Sequence, residues 1–388
     1  MKKQRSLFFD TSLIYFMVIF CFIGVRILSS SVSISNTASI ILNALIQIVF
    51  MFLIPFLFYK FLRKRKAKEV FKDFNVKKIN LKAIVYTILI GIIIYFLNIA
   101  IASFFNIFIY STGYDPTYGM ASAGGEGSYS VIQFIIDVFV TAVLPGICEE
   151  FCHRGLLLNG YKQLGSKKAI ILVGVLFGLM HLNIQQFFYA TIIGMFLTFL
   201  VYVTGSIIPS IIIHFINNFM GVYITFASYN KLPLGNFSEI VTNFLTKNSG
   251  IVSFLIILLV VVTMLALLYL LVKRLINATA VPYFKKIAVK AIENEERKAL
   301  FEQFNLDVKE IDKENGVVSD DEIPEVEIRQ AGTINGKPNI MVNFKNPPSL
   351  LSGDYFIKKP SLYDKAFLYG TMFLGIFITI ATLIWGII

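Results

Sequence analysis

Nine long apolar runs constrain this sequence more than any other feature. Each has about 20 residues and very few charged side chains, which is the length an α-helix needs to cross the hydrocarbon core of a bilayer. The runs begin near residues 10, 38, 83, 131, 168, 187, 207, 250 and 366. Hydrophobic residues make up 56% of the 388 positions, above the globular norm of about 45–50%. The sequence therefore predicts an all-α polytopic membrane protein with about nine transmembrane helices.

The first apolar run resembles both a signal peptide and a membrane anchor. Lys2, Lys3 and Arg5 precede it, and a run of serines from Ser29 follows it. Because the run is long and another span follows at once, we interpret it as a retained helix.

Clusters of basic residues predict the topology. The net charge is +11, and the Lys and Arg residues concentrate after the second, fourth and eighth runs, at 60–68, 162–168 and 273–274. Cytoplasmic loops are enriched in Lys and Arg, so these clusters predict a cytoplasmic amino terminus and an external carboxyl terminus. The charge is thereby explained without a nucleic acid partner. Many Ile, Lys and Asn residues favour a bacterial plasma membrane.

The chain divides into five predicted regions. Residues 1–130 form the first spans, 131–227 a membrane core, 228–272 an external loop and the eighth span, 273–365 a charged soluble region, and 366–388 the last span. Within the soluble region, Ala288 to Phe304 has the pattern of an amphipathic helix, and Asn335-Gly336 between two apolar segments predicts a β-hairpin. We expect a small cytoplasmic α+β region before the last span, with a possible protein partner.

The fourth run contains an unusual group of ionisable residues, Glu149, Glu150, His153 and Arg154. A charge inside the bilayer costs several kcal/mol or more, so such residues face the protein interior and mark function. Glu150 and Arg154 are one helical turn apart and are expected to form an ion pair, whereas Glu149 points elsewhere. The alternative is that the span ends near Ile147 and leaves the group in a solvated turn.

Two histidines fall in later apolar runs and complete a hydrolytic set. His181 and His214 are predicted mid-span at similar depths, and Asn218 follows His214 by one helical turn. A carboxylate that takes a proton from water, two imidazoles and an amide donor suit the hydrolysis of an acyl bond. Phe177, one turn before His181, is expected to orient its ring.

The same residues leave other chemistries open. Glu149, His181 and His214 have the ligand types of catalytic zinc or another divalent metal, although no HExxH motif occurs. Cys148 or Cys152 as a nucleophile is a third option. A proton-coupled transporter is a further reading, but no inverted repeats are evident.

Three segments together resemble one protease family. They are EEFCHR (149–154), FGLMH (177–181) and HFINN (214–218), each in its own run. The ordered triple resembles the CPBP family of intramembrane proteases, which includes type II CAAX prenyl proteases and the Abi or bacteriocin-processing group. The likeness covers residues 130 to 225.

The resemblance implies a role for each matching residue. Glu149 would activate water, Glu150 and Arg154 would be its supporting ion pair, and His181 would hold the same water. His214 and Asn218 would stabilise the oxyanion. The family is described both as metalloproteases and as metal-free glutamate enzymes, so the cofactor stays open. His153 stands where the family commonly has an aromatic residue and receives no role.

These inferences lead to one function and one alternative. The leading hypothesis is an intramembrane endopeptidase that cleaves peptides or prenylated peptides. The substrate would enter from the membrane or the cytoplasm, through a cavity open to the cytoplasmic half of the bilayer. The alternative is a non-proteolytic membrane scaffold or bacteriocin self-immunity protein of the same family.

Overall fold

A computed structural model describes residues 6–30, 35–115, 129–247, 250–303, 326–334, 337–344 and 360–387. Within those ranges, eight helices are long and apolar enough to cross a membrane. The predicted all-α polytopic membrane fold is confirmed. The chain forms two compact units, Met1–Leu275 with Leu351–Ile388, and Ile276–Leu350.

Residues 6–110 contain three membrane-length helices. They are α1 (Leu7–Ser30), the composite of α2 (Asn36–Leu45), π1 (Ile46–Leu53) and α3 (Ile54–Leu62), and α5 (Leu81–Tyr110), with the short α4 (Ala67–Asp73) between the last two. Helix α1 packs in the core, where Phe8, Ile14 and Val18 are almost fully buried. This packing is what a retained helix requires.

The predicted catalytic core follows. Its fourth span is a composite of α6 (Val131–Asp137), π2 (Val138–Val143), α7 (Leu144–Glu150), π3 (Phe151–Leu157) and α8 (Leu158–Tyr161). A 3₁₀ turn (Lys162–Leu164), α9 (Ser166–Met180), α10 (Ile184–Thr204) and α11 (Ile208–Tyr229) come next. The span thus continues past Ile147 to Tyr161, and the alternative of a solvated turn at Glu149 to Arg154 is wrong.

The fifth predicted span is shorter than expected. Helix α9 has 15 residues, about 22 Å at 1.5 Å per residue, against a hydrocarbon thickness of about 30 Å. It ends because Leu182 adopts a positive φ and the Asn183 side chain caps α10 by accepting from the backbone N–H groups of Gln185 and Gln186. Of the nine predicted spans, this one falls below membrane length, and His181 is the C-cap of α9 instead of a mid-span residue.

Two of the three π-helical segments precede a proline. Segment π1 runs into Pro55 in the first turn of α3, and π2 into Pro145 in the first turn of α7. Proline has no N–H group and cannot continue the regular helical ladder, so the backbone takes a wider turn there. The backbone is thus irregular just before Pro145, one helical turn from Glu149.

The remaining elements are α12 (Phe237–Lys247), α13 (Gly250–Gln303), β1 (Val326–Ile334), β2 (Lys337–Phe344) and α14 (Leu362–Ile387). The strands pair antiparallel, with Val326 opposite Phe344 and Ile334 opposite Lys337. The predicted turn residues Asn335 and Gly336 lie outside the described residues, as does Phe304. The cytoplasmic position of residues 273–365 and a packed α+β domain there stay predictions.

Candidate active site

The two ends of the helical bundle can be told apart by their contacts. At one end, which we call the basic end, the backbone N–H of Ile207 donates to the carbonyl of Asn75 (3.0 Å), and the Ser206 hydroxyl to the carbonyl of Lys77 (2.5 Å). At the opposite end, the Asn230 amide donates to the carbonyl of Tyr129 (3.0 Å). The site is located between these two levels.

A cavity of about 670 Å³ contains the candidate residues. Its lining includes Glu149, His181, His214 and Asn218, together with Gln47 from π1. The structure therefore brings four of the six predicted catalytic residues to one space. The other two, Glu150 and Arg154, are fully buried behind it.

Glu149 presents one bound and one unbound oxygen. Its Oε1 accepts a hydrogen bond from Gln47 Nε2 at 2.7 Å. Its Oε2 is buried and has no hydrogen-bond partner, and it lies 3.9 Å from His214 Nε2. That separation is too long for a direct hydrogen bond and suits a water molecule that bridges both atoms.

Glu150 connects Arg154 to His214. Its Oε1 accepts from Arg154 Nη1 and from His214 Nδ1, both at 2.8 Å. A carboxylate paired with a guanidinium only accepts, so Nδ1 of His214 carries a hydrogen. In the neutral imidazole, Nε2 is then an acceptor that faces Glu149, and after protonation it becomes a donor. The predicted ion pair thus also sets the tautomer of the histidine.

Arg154 is held by groups from three helices. Its Nη2 donates to the carbonyl of Gly194 at 2.8 Å, and its guanidinium lies 4.5 Å from the ring centre of Phe177. A Cβ atom at position 194 would come within 3.1 Å of Phe177 and of the Gly174 backbone. Glycine at this position therefore permits the close approach of α9 and α10 that brings the carbonyl to Arg154.

Phe177 packs edge-on against both candidate histidines, His181 and His214. Its ring centre lies 5.3 Å from that of His181 and 5.7 Å from that of His214. The two imidazoles are consequently no further apart than the sum of these distances. The sequence predicted the contact with His181 but not the contacts with His214 and Arg154.

Asn218 lies beside the cavity but is already engaged. Its Nδ2 donates to the carbonyl of Thr141 at 3.0 Å, and its Oδ1 accepts from Asn217. Asn217 in turn accepts from Asn98 of α5 at 3.0 Å. One hydrogen of the Asn218 amide remains for a substrate oxygen, because an amide nitrogen has two.

His153 lies behind the site, fully buried. Its Nδ1 faces the carbonyl of Glu149 at 2.8 Å and its Nε2 faces the hydroxyl of Tyr15 at 3.0 Å. Since a carbonyl only accepts, Nδ1 is the donor. His153 therefore links Tyr15 of α1 to the backbone carbonyl of Glu149, and it does not line the cavity.

Gln47 is the functional residue that the sequence reading missed. It stands alone among apolar residues, and nothing in the three motifs involves it. The available signal was its spacing of four residues from Asn43, which puts two amides on one face of an apolar helix. Both residues line the cavity.

The donor set for a metal is incomplete. Among the described residues, no group of three His, Cys, Asp or Glu side chains is arranged to hold an ion. Glu149 and His214 approach each other, but His181 does not complete the predicted trio. The cysteine alternative also gains no support, because Cys148 and Cys152 are buried and neither lines the cavity.

The cavity extends toward the opposite end of the bundle. From Glu149 it follows α11 through Asn218 to Thr225, and the fourth span back to Asp137 and Tyr129. Toward the basic end, the residues after Arg154 are packed, with Leu156 and Leu157 fully buried. If basic clusters mark the cytoplasm, the cavity opens away from it, so the predicted cytoplasmic opening and the predicted topology are incompatible.

A protein-family model matches the predicted catalytic core. Residues 131–220 match the family model described as type II CAAX prenyl endopeptidase Rce1-like. No curated protein and no solved structure matches the chain. The match spans α6 to α11, the elements that carry all three motifs, and agrees with the CPBP resemblance and its class of membrane endopeptidases. Residues 131–220 are therefore similar to the Rce1-like type II CAAX prenyl endopeptidases.

Proposed function

We propose that this protein is an intramembrane endopeptidase in which Glu149 activates the attacking water. One observation carries the proposal: a buried carboxylate with one oxygen held by Gln47 and the other, without a partner, facing His214 Nε2 at 3.9 Å. A general base needs such an oxygen within one hydrogen bond of the proton that it removes.

The proposed reaction is the hydrolysis of a peptide bond. Glu149 Oε2 takes a proton from water while the water oxygen attacks the carbonyl carbon. The Asn218 amide donates to the oxygen that becomes negative, and Nε2 of the neutral His214 ring accepts a hydrogen bond from the second hydrogen of the water. Glu149 then returns the proton to the leaving nitrogen as the C–N bond breaks. Glu150 and Arg154 act through His214, which they orient.

The experiment compares Glu149→Gln with the parent on a pool of synthetic peptides, using mass spectrometry of the products. The amide keeps the shape of the side chain but cannot accept the proton, so turnover should fall by at least about 10²–10⁴-fold, the usual contribution of a general base. Cys148→Ser serves as the matched control and should cleave like the parent. Loss of turnover in the control instead would favour a cysteine nucleophile.

Metal dependence is tested separately. Because no three His, Cys, Asp or Glu side chains among the described residues are arranged to hold an ion, we expect purified protein to keep its activity after chelation and dialysis. Metal content measured alongside activity checks this. Activity that disappears with the chelator and returns with zinc alone would replace this mechanism with a metal-assisted one.

A second candidate is the scaffold or immunity role, in the same membrane. It is favoured by the separate compact unit at Ile276–Leu350, which lies outside the family match. A protein partner of that unit would support this role. A variant that cannot cleave but keeps full biological function would do so more directly.

A further inference from the structure

The cavity between the catalytic residues and the opposite end has a polar lining. Amides and hydroxyls there come from Asn43, Asn98, Thr141, Gln186, Asn217 and Thr225, and they alternate with apolar residues such as Val140 and Val222. These groups suit the N–H and C=O groups of an extended peptide, which need partners once they leave water. A prenyl chain offers no hydrogen bond to a polar atom that the protein leaves unpaired, such as the buried Oδ1 of Asn98, and each such atom costs about 1–3 kcal/mol.

The cavity also has a charge preference. Asp137 lines it, and this carboxylate accepts hydrogen bonds from the Tyr129 hydroxyl (2.5 Å) and the Gln133 amide (2.8 Å). Both donors are neutral, and no Lys or Arg is among the described residues that line the cavity. A carboxylate without a countercharge in a partly enclosed space attracts cations.

The direction of the opening adds a third observation. Cavity residues reach toward the opposite end along two elements: Asp137 lies in the fourth span with Tyr129 just before it, and Thr225 lies in α11. Thr225 is exposed. Toward the basic end the packed residues Leu156, Leu157, Leu158 and Tyr161 leave no comparable path.

Building on the proposed function, we propose that the substrate is an unprenylated peptide segment with a cationic side chain or amino terminus, which enters from the end opposite the basic clusters. Asp137 binds the cation, and the amides between Asp137 and Glu149 bind the extended backbone. By the positive-inside rule this end faces the exterior of the cell. The site then acts on exported peptides and not on cytoplasmic prenylated proteins.

Paired peptide pools test the substrate class with the solubilised full-length protein. Each pool is prepared with Lys or Gln at one fixed position, and each with and without a farnesyl group. The unprenylated Lys pool should be cleaved fastest. Asp137→Asn should reduce the Lys-over-Gln ratio of kcat/KM about tenfold, the loss of one partly buried charge pair. Glu239→Gln, an exposed acid outside this cavity, should leave the ratio unchanged.

The outcomes separate the two proposals. Cleavage of farnesylated peptides alone, or an unchanged ratio in Asp137→Asn, would overturn the substrate assignment while the protease function stands. No cleavage of any pool would overturn both.

Labelling from outside the cell tests the direction of entry. In intact cells, a membrane-impermeant maleimide should label Thr225→Cys, whereas Lys168→Cys, exposed near the basic end, should react only after permeabilisation. The parent controls for the three native cysteines. The reverse pattern would place the opening in the cytoplasm and overturn the proposed direction.

Discussion

The two halves of the helical core, above and below Glu149, differ in almost every physical property. Toward the opposite end the core is open, lined by amides and hydroxyls, and contains Gln47, His214 and Asn218. Toward the basic end it is closed, and Leu156 and Tyr161 have no exposed surface. The ionisable residues of the fourth span therefore lie at the boundary between an open half and a packed half. Glu149 lines the cavity in the open half, and buried residues of the packed half, such as Arg154, hold the site in place.

The stability of the packed half should depend most on Arg154. Arg154→Ala would leave the Glu150 carboxylate buried without its cation, which costs about 3–5 kcal/mol in comparable broken pairs. We expect a large loss of thermal stability and of activity, measured by unfolding of the solubilised protein. Pairing it with Glu150→Gln should restore part of the stability and none of the activity. If Arg154→Ala is as stable as the parent, the ion pair of Glu150 and Arg154 does not stabilise the packed half.

Two asparagines provide a matched test of the two halves. Asn159 is buried in the packed half and donates to the Tyr59 hydroxyl at 2.9 Å, whereas Asn218 lines the open half. Asn159→Ala should lower stability by about 1–3 kcal/mol and leave the turnover of folded protein near normal. Asn218→Ala should lower turnover about 10²–10³-fold with little loss of stability. Equal losses of stability in Asn159→Ala and Asn218→Ala would contradict the difference between the packed half and the open half.

Substitution of Gln47 should lower turnover less than substitution of Asn218, and it should act through Glu149. Gln47→Leu removes a hydrogen bond to the Glu149 carboxylate, and bonds to charged groups contribute about 1.5–3 kcal/mol. Turnover should fall roughly 10–100-fold. Asn43→Leu, one turn away on the same helix, removes an amide that does not bond to Glu149 and should lower turnover less than Gln47→Leu.

The sequence was sufficient for the membrane fold and for most of the candidate site. Apolar length predicts the spans, and the rarity of charge within them draws attention to Glu149, Glu150 and Arg154. The short α9 was missed because hydropathy does not register the Asn183 cap that divides one apolar run into two helices. Gln47 was missed because a single amide in a span has no partner in the sequence, and only the packing of π1 against α7 shows what it binds.

The direction of the cavity could not be predicted either. Basic clusters predict which end of each helix faces the cytoplasm, but whether the core is filled or open at that end depends on side-chain packing. The packed half is filled by Phe151, Leu156, Tyr161 and residues from α1 and α4, and these elements are far apart in sequence. The hydrophobic residue types that fill the core are the same as those that face lipid, so composition cannot tell a buried position from a lipid-facing one.

The most direct test of the account measures stability and turnover together in Glu149→Gln. Glu149 is a buried carboxylate with an unpartnered oxygen, so it is placed for catalysis at a cost in stability. The account predicts that the variant unfolds at the same temperature as the parent or higher and cleaves none of the peptides that the parent cleaves. A variant that cleaves at near the parent rate would contradict the assignment of Glu149 as the base.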